Sequence, residues 1–220
     1  MSLHDLAAVL LDMDGTLVDS DAAVERSWQR WAAEHGVPMS VLRPRLHGNT
    51  ALATAIAVLP ALTPAEHRRA AQRQLDLEYA DVADIHAATG ARELLDTLAR
   101  LGLPWAVVTS ADRRLANIRL GAAGITPPVL VTVEDTPSAK PSPQPYLAAA
   151  AHLGVDSARC LVVEDSVPGI QAGKAAGAQV ATLRGLDGDF PIKDLSELAA
   201  LLDVSDPQQR PRHAHQSARH

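Results

Sequence analysis

The chain has 220 residues and a formal net charge of −6, with acidic and basic residues interspersed. No nucleic-acid partner is expected, because that binding needs a clustered basic face to neutralise phosphates; an anionic small substrate remains compatible, since local charge outweighs the overall balance. Apolar residues make up 47% of the sequence but aromatics only 3%, so a core must be built from Ala, Val, Leu and Ile. The single cysteine, Cys160, excludes an internal disulfide and reads as a small buried hydrophobe. No basic-then-apolar leader is visible, and no run approaches the roughly 18 apolar residues of a membrane span. A soluble cytoplasmic protein with no membrane partner is expected.

In chain order, the first strand is expected over Ala7 to Met13, directly followed by the aspartates of "DMDGT". From Asp19 to His86 no strand-like run appears. Four amphipathic helices are expected there instead: "DAAVERSWQRWAAEHG", "VLRPRLHG", "TALATAIAVLP" and "PAEHRRAAQRQLDLEYADVA", separated by Gly and Pro. Strands then return at Pro104 to Thr109, Val129 to Val133, Cys160 to Glu164 and Ala178 to Leu183, alternating with helical patterns that end on glycine stop signals. This alternation predicts an α/β fold, a doubly wound parallel sheet with helices on both faces. The expected domains are a discontinuous core of residues 1–18 and 87–204, an inserted helical cap of residues 19–86, and a polar, disordered tail over 205–220. Gly169, Gly173 and Gly177, four apart, read as close helix-to-sheet packing, and no Walker A spacing is present.

In such sheets ligands sit at the carboxyl ends of the strands, so the residues there carry the chemistry. Asp12 and Asp14, two apart beyond a strand end, can face one pocket; their repulsion is tolerable around a divalent cation, and oxygen-only ligands suit Mg²⁺. An acidic turn bonding its own backbone is the plain alternative for this pair. The second core strand ends in Thr109 and Ser110, a hydroxyl with successive N–H groups for phosphate oxygens, or else helix N-caps. Lys140 sits in a Pro-rigidified loop before a helix, a candidate phosphate charge. Glu164 and Asp165 end the next strand as a second acidic pair.

Taken together, "DMDGT", "VVTS", the lysine of "AKPSP" and "VVEDSVPGIQAGKAAG", in that order, resemble the four motifs of the haloacid dehalogenase superfamily, and the helical insert resembles its C1 cap. The likeness spans nearly the whole chain except the tail. It implies a Rossmann-like core and a phosphatase in which Asp12 attacks phosphorus to give an aspartyl-phosphate. Asp14 serves as acid toward the leaving alcohol and then as base toward water. It implies Mg²⁺ as cofactor, held by Asp12, the Asp14 main-chain carbonyl and Asp165, with Glu164 supporting the metal shell. Thr109, Ser110 and Lys140 are the implied phosphate-binding residues. Ala139 and Gln144 depart from the usual loop around the lysine without removing it. Asp at position 14 argues against the dehalogenase branch.

The relatives that the chain resembles include sugar- and polyol-phosphate phosphatases and β-phosphoglucomutases. Where the mutases carry a second-phosphate arginine and a gating histidine, Ala51 and Val24 stand here, so hydrolysis of a small phosphorylated sugar or polyol is expected. Mutase-like phosphoryl transfer and phosphoglycolate hydrolysis are the alternatives; a silent phosphate-binding module is disfavoured because all motif residues are present. The stretch "LHGNTALATAI" makes His47, Gly48 and Asn49 candidate substrate contacts. Trp28 and Trp31 read as cap core rather than a sugar platform. A monomer is expected because the cap must move.

Overall fold

All four residues of β1 (Ala8–Leu11) are buried, which a strand tolerates in the middle of a sheet covered on both sides. The computed structural model describes residues 3–204, and the 205–220 tail, with His213, His215 and His220, lies outside the described residues. After β1 come β2 (Val18–Asp19), α1 (Asp21–His35), α2 (Met39–Leu42), α3 (Ala51–Val58), α4 (Pro64–Ala80) and β3 (His86–Ala87). Next are α5 (Ala91–Leu101), β4 (Trp105–Val108), α6 (Arg113–Ala123), β5 (Leu130–Val131) and α7 (Gln144–Leu153). The described chain ends with β6 (Cys160–Glu164), α8 (Val167–Ala175), β7 (Gln179–Thr182), β8 (Phe190–Pro191) and α9 (Leu195–Val204).

Six strands form one sheet in the order β5-β4-β1-β6-β7-β8, and every pairing in it is parallel. Alternate residues of β1 separate the two cores. Val9 and Leu11 pack with Leu94, Leu98, Leu115 and Leu198 on one face; Ala8 and Leu10 pack with Tyr146, Ala149, Ile170 and Ala172 on the other. All five expected strands are present within their expected spans, trimmed at the ends except β6. The sequence patterns do not reveal β2, β3 and β8, each only two residues long. β2 and β3 pair antiparallel at the two ends of the helical insert.

The insert has its own apolar cluster, with Trp28, Trp31, Leu42, Ala55 and Leu77 buried in it. Trp28 and Trp31 pack edge to face at 5.2 Å, and the Trp31 indole N–H donates to Ala70 O, in agreement with the cap-core reading of both rings. The second of the four expected helices needs correction. Residues 41–48 do not form one helix: α2 stops at Leu42, a 3₁₀ turn covers Arg43–Arg45, and the chain bends through Leu46 to Asn49. Pro44, which cannot donate a helical hydrogen bond, stands inside that stretch. No helix among the described residues is long and apolar enough to cross a membrane.

Two of the three spaced glycines pack as expected, while Gly177 occupies a left-handed turn after α8 at φ 81°. Gly173 faces Val162 and Val180. Gly169 is the tightest: a Cβ there would stand 1.7 Å from Oε1 of the fully buried Glu164. In an open helix Gly→Ala gains about 1 kcal/mol. Here Gly169→Ala should instead destabilise by about 1–3 kcal/mol through overpacking, read as a lower urea midpoint at unchanged m-value. A raised midpoint would contradict the close approach.

Candidate active site

Asp12 follows β1 and its N–H bonds Val163 O of β6, so the sheet fixes its backbone. Lys140, from the loop before α7, reaches it across the rim: Nζ lies 2.6 Å from Asp12 Oδ1, 2.6 Å from Glu164 Oε1 and 2.9 Å from Val108 O. Burial works against the ammonium, but Asp12 and Glu164 outweigh it and hold Lys140 above its ordinary range. Glu164 is saturated. Its Oε1 also accepts from the Tyr146 hydroxyl, and its Oε2 from the Asp165 and Ser166 N–H groups and the Ser166 hydroxyl. Burial raises the Asp12 carboxyl well above its usual range, with Lys140 opposing and Glu164 and Asp165 adding to the rise. Burial, and then Glu164, push Asp165 up to about 7 while Arg184 opposes.

Asp14 leaves the sheet in a turn that needs its glycine. Gly15 sits at φ 80°, and a Cβ there would meet Asp165 Oδ2 at 2.1 Å, so both the turn and the approach of the second acidic pair exclude a side chain. The Asp14 carboxylate is held on both oxygens, by Ser20 Oγ at 2.7 Å and by Arg119 Nη1 at 2.7 Å. Arg119 comes from α6, and its Nη2 lies 3.5 Å from Oε1 of Glu78 on α4. Burial raises the Glu78 carboxyl, with Arg119 opposing.

The structure thus brings Asp12, Asp14, Thr109, Lys140, Glu164 and Asp165 to one rim, five of them buried. Thr109 lines the cavity; its N–H bonds Val131 O and its Oγ1 accepts from Ala111 N. Ser110 is not the N-cap of α6: Asp112 caps it by accepting from Leu115 N, and Ser110 Oγ donates to Gly48 O of the insert at 3.0 Å. His47, Gly48 and Asn49 all line the cavity above Asp12. His47 Nδ1 stands 3.8 Å from Asp165 Oδ2, and burial, then the nearby Arg184, lower its pKa. The Asn49 amide bonds the carbonyls of Arg45 and His47, which shapes the bend that carries these residues.

The sequence patterns do not single out Ser20, Glu78, Arg119, Tyr146 or Arg184. One signal is available for Arg119: it shares the apolar stripe of α6 with Leu115, Ala116, Leu120 and Ala123, where a guanidinium requires an acidic partner. Arg184 holds Asp165 Oδ2 at 2.7 Å and both oxygens of Asp21, so Asp21 at the start of α1 is an ion-pair partner.

Asp12, Glu164 and Asp165 offer carboxylate oxygens within 4.8 Å of one another. An all-oxygen donor set suits a hard divalent cation, and the raised Asp12 and Asp165 carboxyls are what such a charge would relieve. In chelator, folded protein keeps the Asp165 proton up to about pH 7, whereas the unfolded chain loses it near the ordinary 3.8. The folded state then binds more protons between these values, so stability falls as pH rises across the window and levels off above it. Asp165→Asn removes this dependence. The wild-type minus variant difference in thermal midpoint should therefore decline from about pH 4 to about pH 7; a flat difference would refute the assigned burial effect.

The haloacid dehalogenase-like hydrolase family profile matches residues 6–177. Hexitol phosphatase A of Escherichia coli is 38% identical over 172 residues, covering 78% of this chain and 80% of that protein. The N-acetylmuramic acid 6-phosphate phosphatase of Pseudomonas aeruginosa is 34% identical over 186 residues, covering 81% of this chain and 82% of the relative. Among solved structures, a hydrolase from Pseudomonas syringae superposes with a TM-score of 0.82 at 25% identity, covering 90% of this chain and 98% of that one. With the parallel sheet, the buried acid–lysine rim and these matches together, the chain belongs to the haloacid dehalogenase-like hydrolases.

Proposed function

We propose that this protein is a Mg²⁺-dependent phosphatase acting on a small phosphorylated sugar or polyol through an aspartyl-phosphate on Asp12. The observation that carries the reading is the buried Lys140 bridging Asp12 and Glu164, with a separately held Asp14 across the same cavity. A carboxylate approaching a phosphate dianion meets like-charge repulsion, and a fixed ammonium at 2.6 Å reduces it. Phosphatases of a hexitol and of N-acetylmuramic acid 6-phosphate among the relatives support the substrate class.

Asp12 attacks phosphorus in line with the ester oxygen, and the P–O bond to the alcohol breaks as the Asp12–phosphorus bond forms. Asp14 gives the departing alkoxide a proton, then takes one from the water that attacks the aspartyl-phosphate, which restores the Asp12 carboxylate and releases phosphate. Ser20 and Arg119 each engage one Asp14 oxygen, which orients the carboxyl and leaves it further hydrogen-bonding capacity toward the ester oxygen. Thr109, Ser110 and Lys140 hold the phosphoryl oxygens. The Asp12 and Asp165 carboxylates and the Asp14 carbonyl would hold Mg²⁺, with Glu164, already saturated, steadying Lys140 and the loop that carries Asp165. The cation supplies positive charge to the transferring phosphoryl group when bound.

Residues 19–86 act as a cap over a core of residues 1–18 and 87–204. The cavity beneath this insert measures about 60 Å³, room for about four to six waters at about 10–15 Å³ each and less than the roughly 300 Å³ from which small-molecule pockets begin. The insert therefore opens to admit substrate, and the protein works as a monomer in the cytoplasm.

Released phosphate from a panel of mannitol-1-phosphate, 2-deoxyglucose-6-phosphate, glycerol phosphate and phosphoglycolate tests the reading. Cation-dependent turnover of a sugar or polyol phosphate is expected, and no turnover on any monoester would refute it. Asp12→Asn should abolish release while leaving the fold intact. Asp14→Asn should cost about 10²–10⁴-fold on an alkyl phosphate but much less on p-nitrophenyl phosphate, whose leaving group needs no proton. Equal losses on both would remove Asp14 from the acid role.

A further inference from the structure

One buried acid facing the cavity has no part in the reaction above. Glu78 lies on the inward face of α4 with Gln74 and Leu77, and it lines the cavity together with Trp28, Leu75 and Arg119. Arg119 is the single Lys or Arg side chain among the described residues lining that space, and it already pairs with Asp14. Two carboxylates thus share one guanidinium in a place with little water. The polar capacity around them is not filled: Arg119 Nε and Gln74 Oε1 are buried without hydrogen-bond partners. Val24, Leu46 and Leu115 add apolar surface to the cavity lining.

We propose that Glu78 is a specificity-determining residue that accepts hydrogen bonds from the hydroxyls of the leaving alcohol, anchored by Arg119, so that the site selects neutral polyhydroxylated leaving groups. The proposal rests on the phosphatase reading and deepens it. Gln74 and Arg119 already give Glu78 hydrogen bonds, but a carboxylate has about four lone-pair sites; substrate hydroxyls would add donors, and a site built around such an acceptor rejects analogues that leave it unpaired. A leaving group carrying a carboxylate or second phosphate meets Asp14 and Glu78 with the cation between them already shared, and like charges repel strongly where water is excluded. Ala51, which also lines the cavity, supplies no charge to offset that repulsion.

The test compares kcat/KM of wild type and Glu78→Gln on sorbitol-6-phosphate, p-nitrophenyl phosphate and phosphoglycolate. Glu78→Gln keeps the shape but weakens the acceptor. It should lower the sorbitol-6-phosphate to p-nitrophenyl phosphate ratio by about 10-fold or more, chiefly through KM, and narrow the discrimination against phosphoglycolate. Glu78→Asp, which withdraws the carboxylate by one methylene, should move the first ratio in the same direction and serves if the glutamine variant does not fold. A parallel loss on sorbitol-6-phosphate and p-nitrophenyl phosphate, an unchanged ratio, or a ratio lowered through kcat with KM unchanged, the pattern of a misplaced Asp14 acid, means a structural ion pair and overturns the assignment while the phosphatase reading stands. If wild type turns over none of the three, the phosphatase reading fails and the assignment of Glu78 falls with it.

Discussion

The rim of this molecule depends on one buried ammonium. Lys140 joins the ends of three elements: Asp12 after β1, Val108 in β4 and Glu164 in β6. A lysine taken out of water is tolerated only where charge and hydrogen bonds replace its hydration, and here two carboxylates and a carbonyl do so. Glu164 cannot move, because five donors fill its oxygens and Gly169 lets α8 press against it. The position of Asp12 is therefore set by the sheet, the lysine by the acids, and the acids by a helix whose sequence leaves space for them.

The helical insert meets the core through polar and apolar contacts alike: Ala23 and Ile85 are buried in the cluster of Leu94, Leu98 and Leu115, and Leu75 and Tyr79 pack against it. Gly48 O accepts from Ser110, Asp21 pairs with Arg184, and Tyr79 of α4 bonds Asp112 while Arg114 lies over its ring. The insert's apolar cluster, around Trp28 and Trp31, is its own. The antiparallel pair of β2 and β3 marks where the chain passes between the insert and the sheet.

How far the sequence discloses this arrangement follows from local chemistry. The sheet was legible because parallel strands buried on both faces appear as unbroken apolar runs, and Cys160 to Glu164 matches β6 residue for residue. The reactive rim was legible because charged residues immediately after such runs stand out. Arg119 and Glu78 were not, because they lie on helices in which a charged residue is ordinarily read as solvent-facing, and only tertiary pairing shows them to be inside. The two-residue strands carry too little pattern to detect, and the misread helix over 41–48 has Pro44 within it. The fold and the candidate rim are thus written in strand ends, whereas much of the cavity lining is written in helix faces and in the 46–49 bend.

That division bears on how the site balances charge. In the cavity and the acid–lysine rim beside it stand Asp12, Asp14, Glu78, Glu164 and Asp165, five carboxylates, against Lys140, Arg119 and Arg184, three fixed cations. Arg184 is further shared with Asp21. The raised Asp12, Glu78 and Asp165 carboxyls are the local expression of this imbalance together with burial. An arriving phosphate dianion deepens it at the Asp12 end, where a divalent cation has oxygen donors and the lysine is already paired. At the Glu78 end no further cation lines the wall, so the excess negative charge there is best met by hydroxyl donors. On the proposed reading, the same surplus of carboxylate that suits a metal beneath the phosphate also suits a neutral alcohol above it, so that a single electrostatic constraint would select the two ends of one substrate.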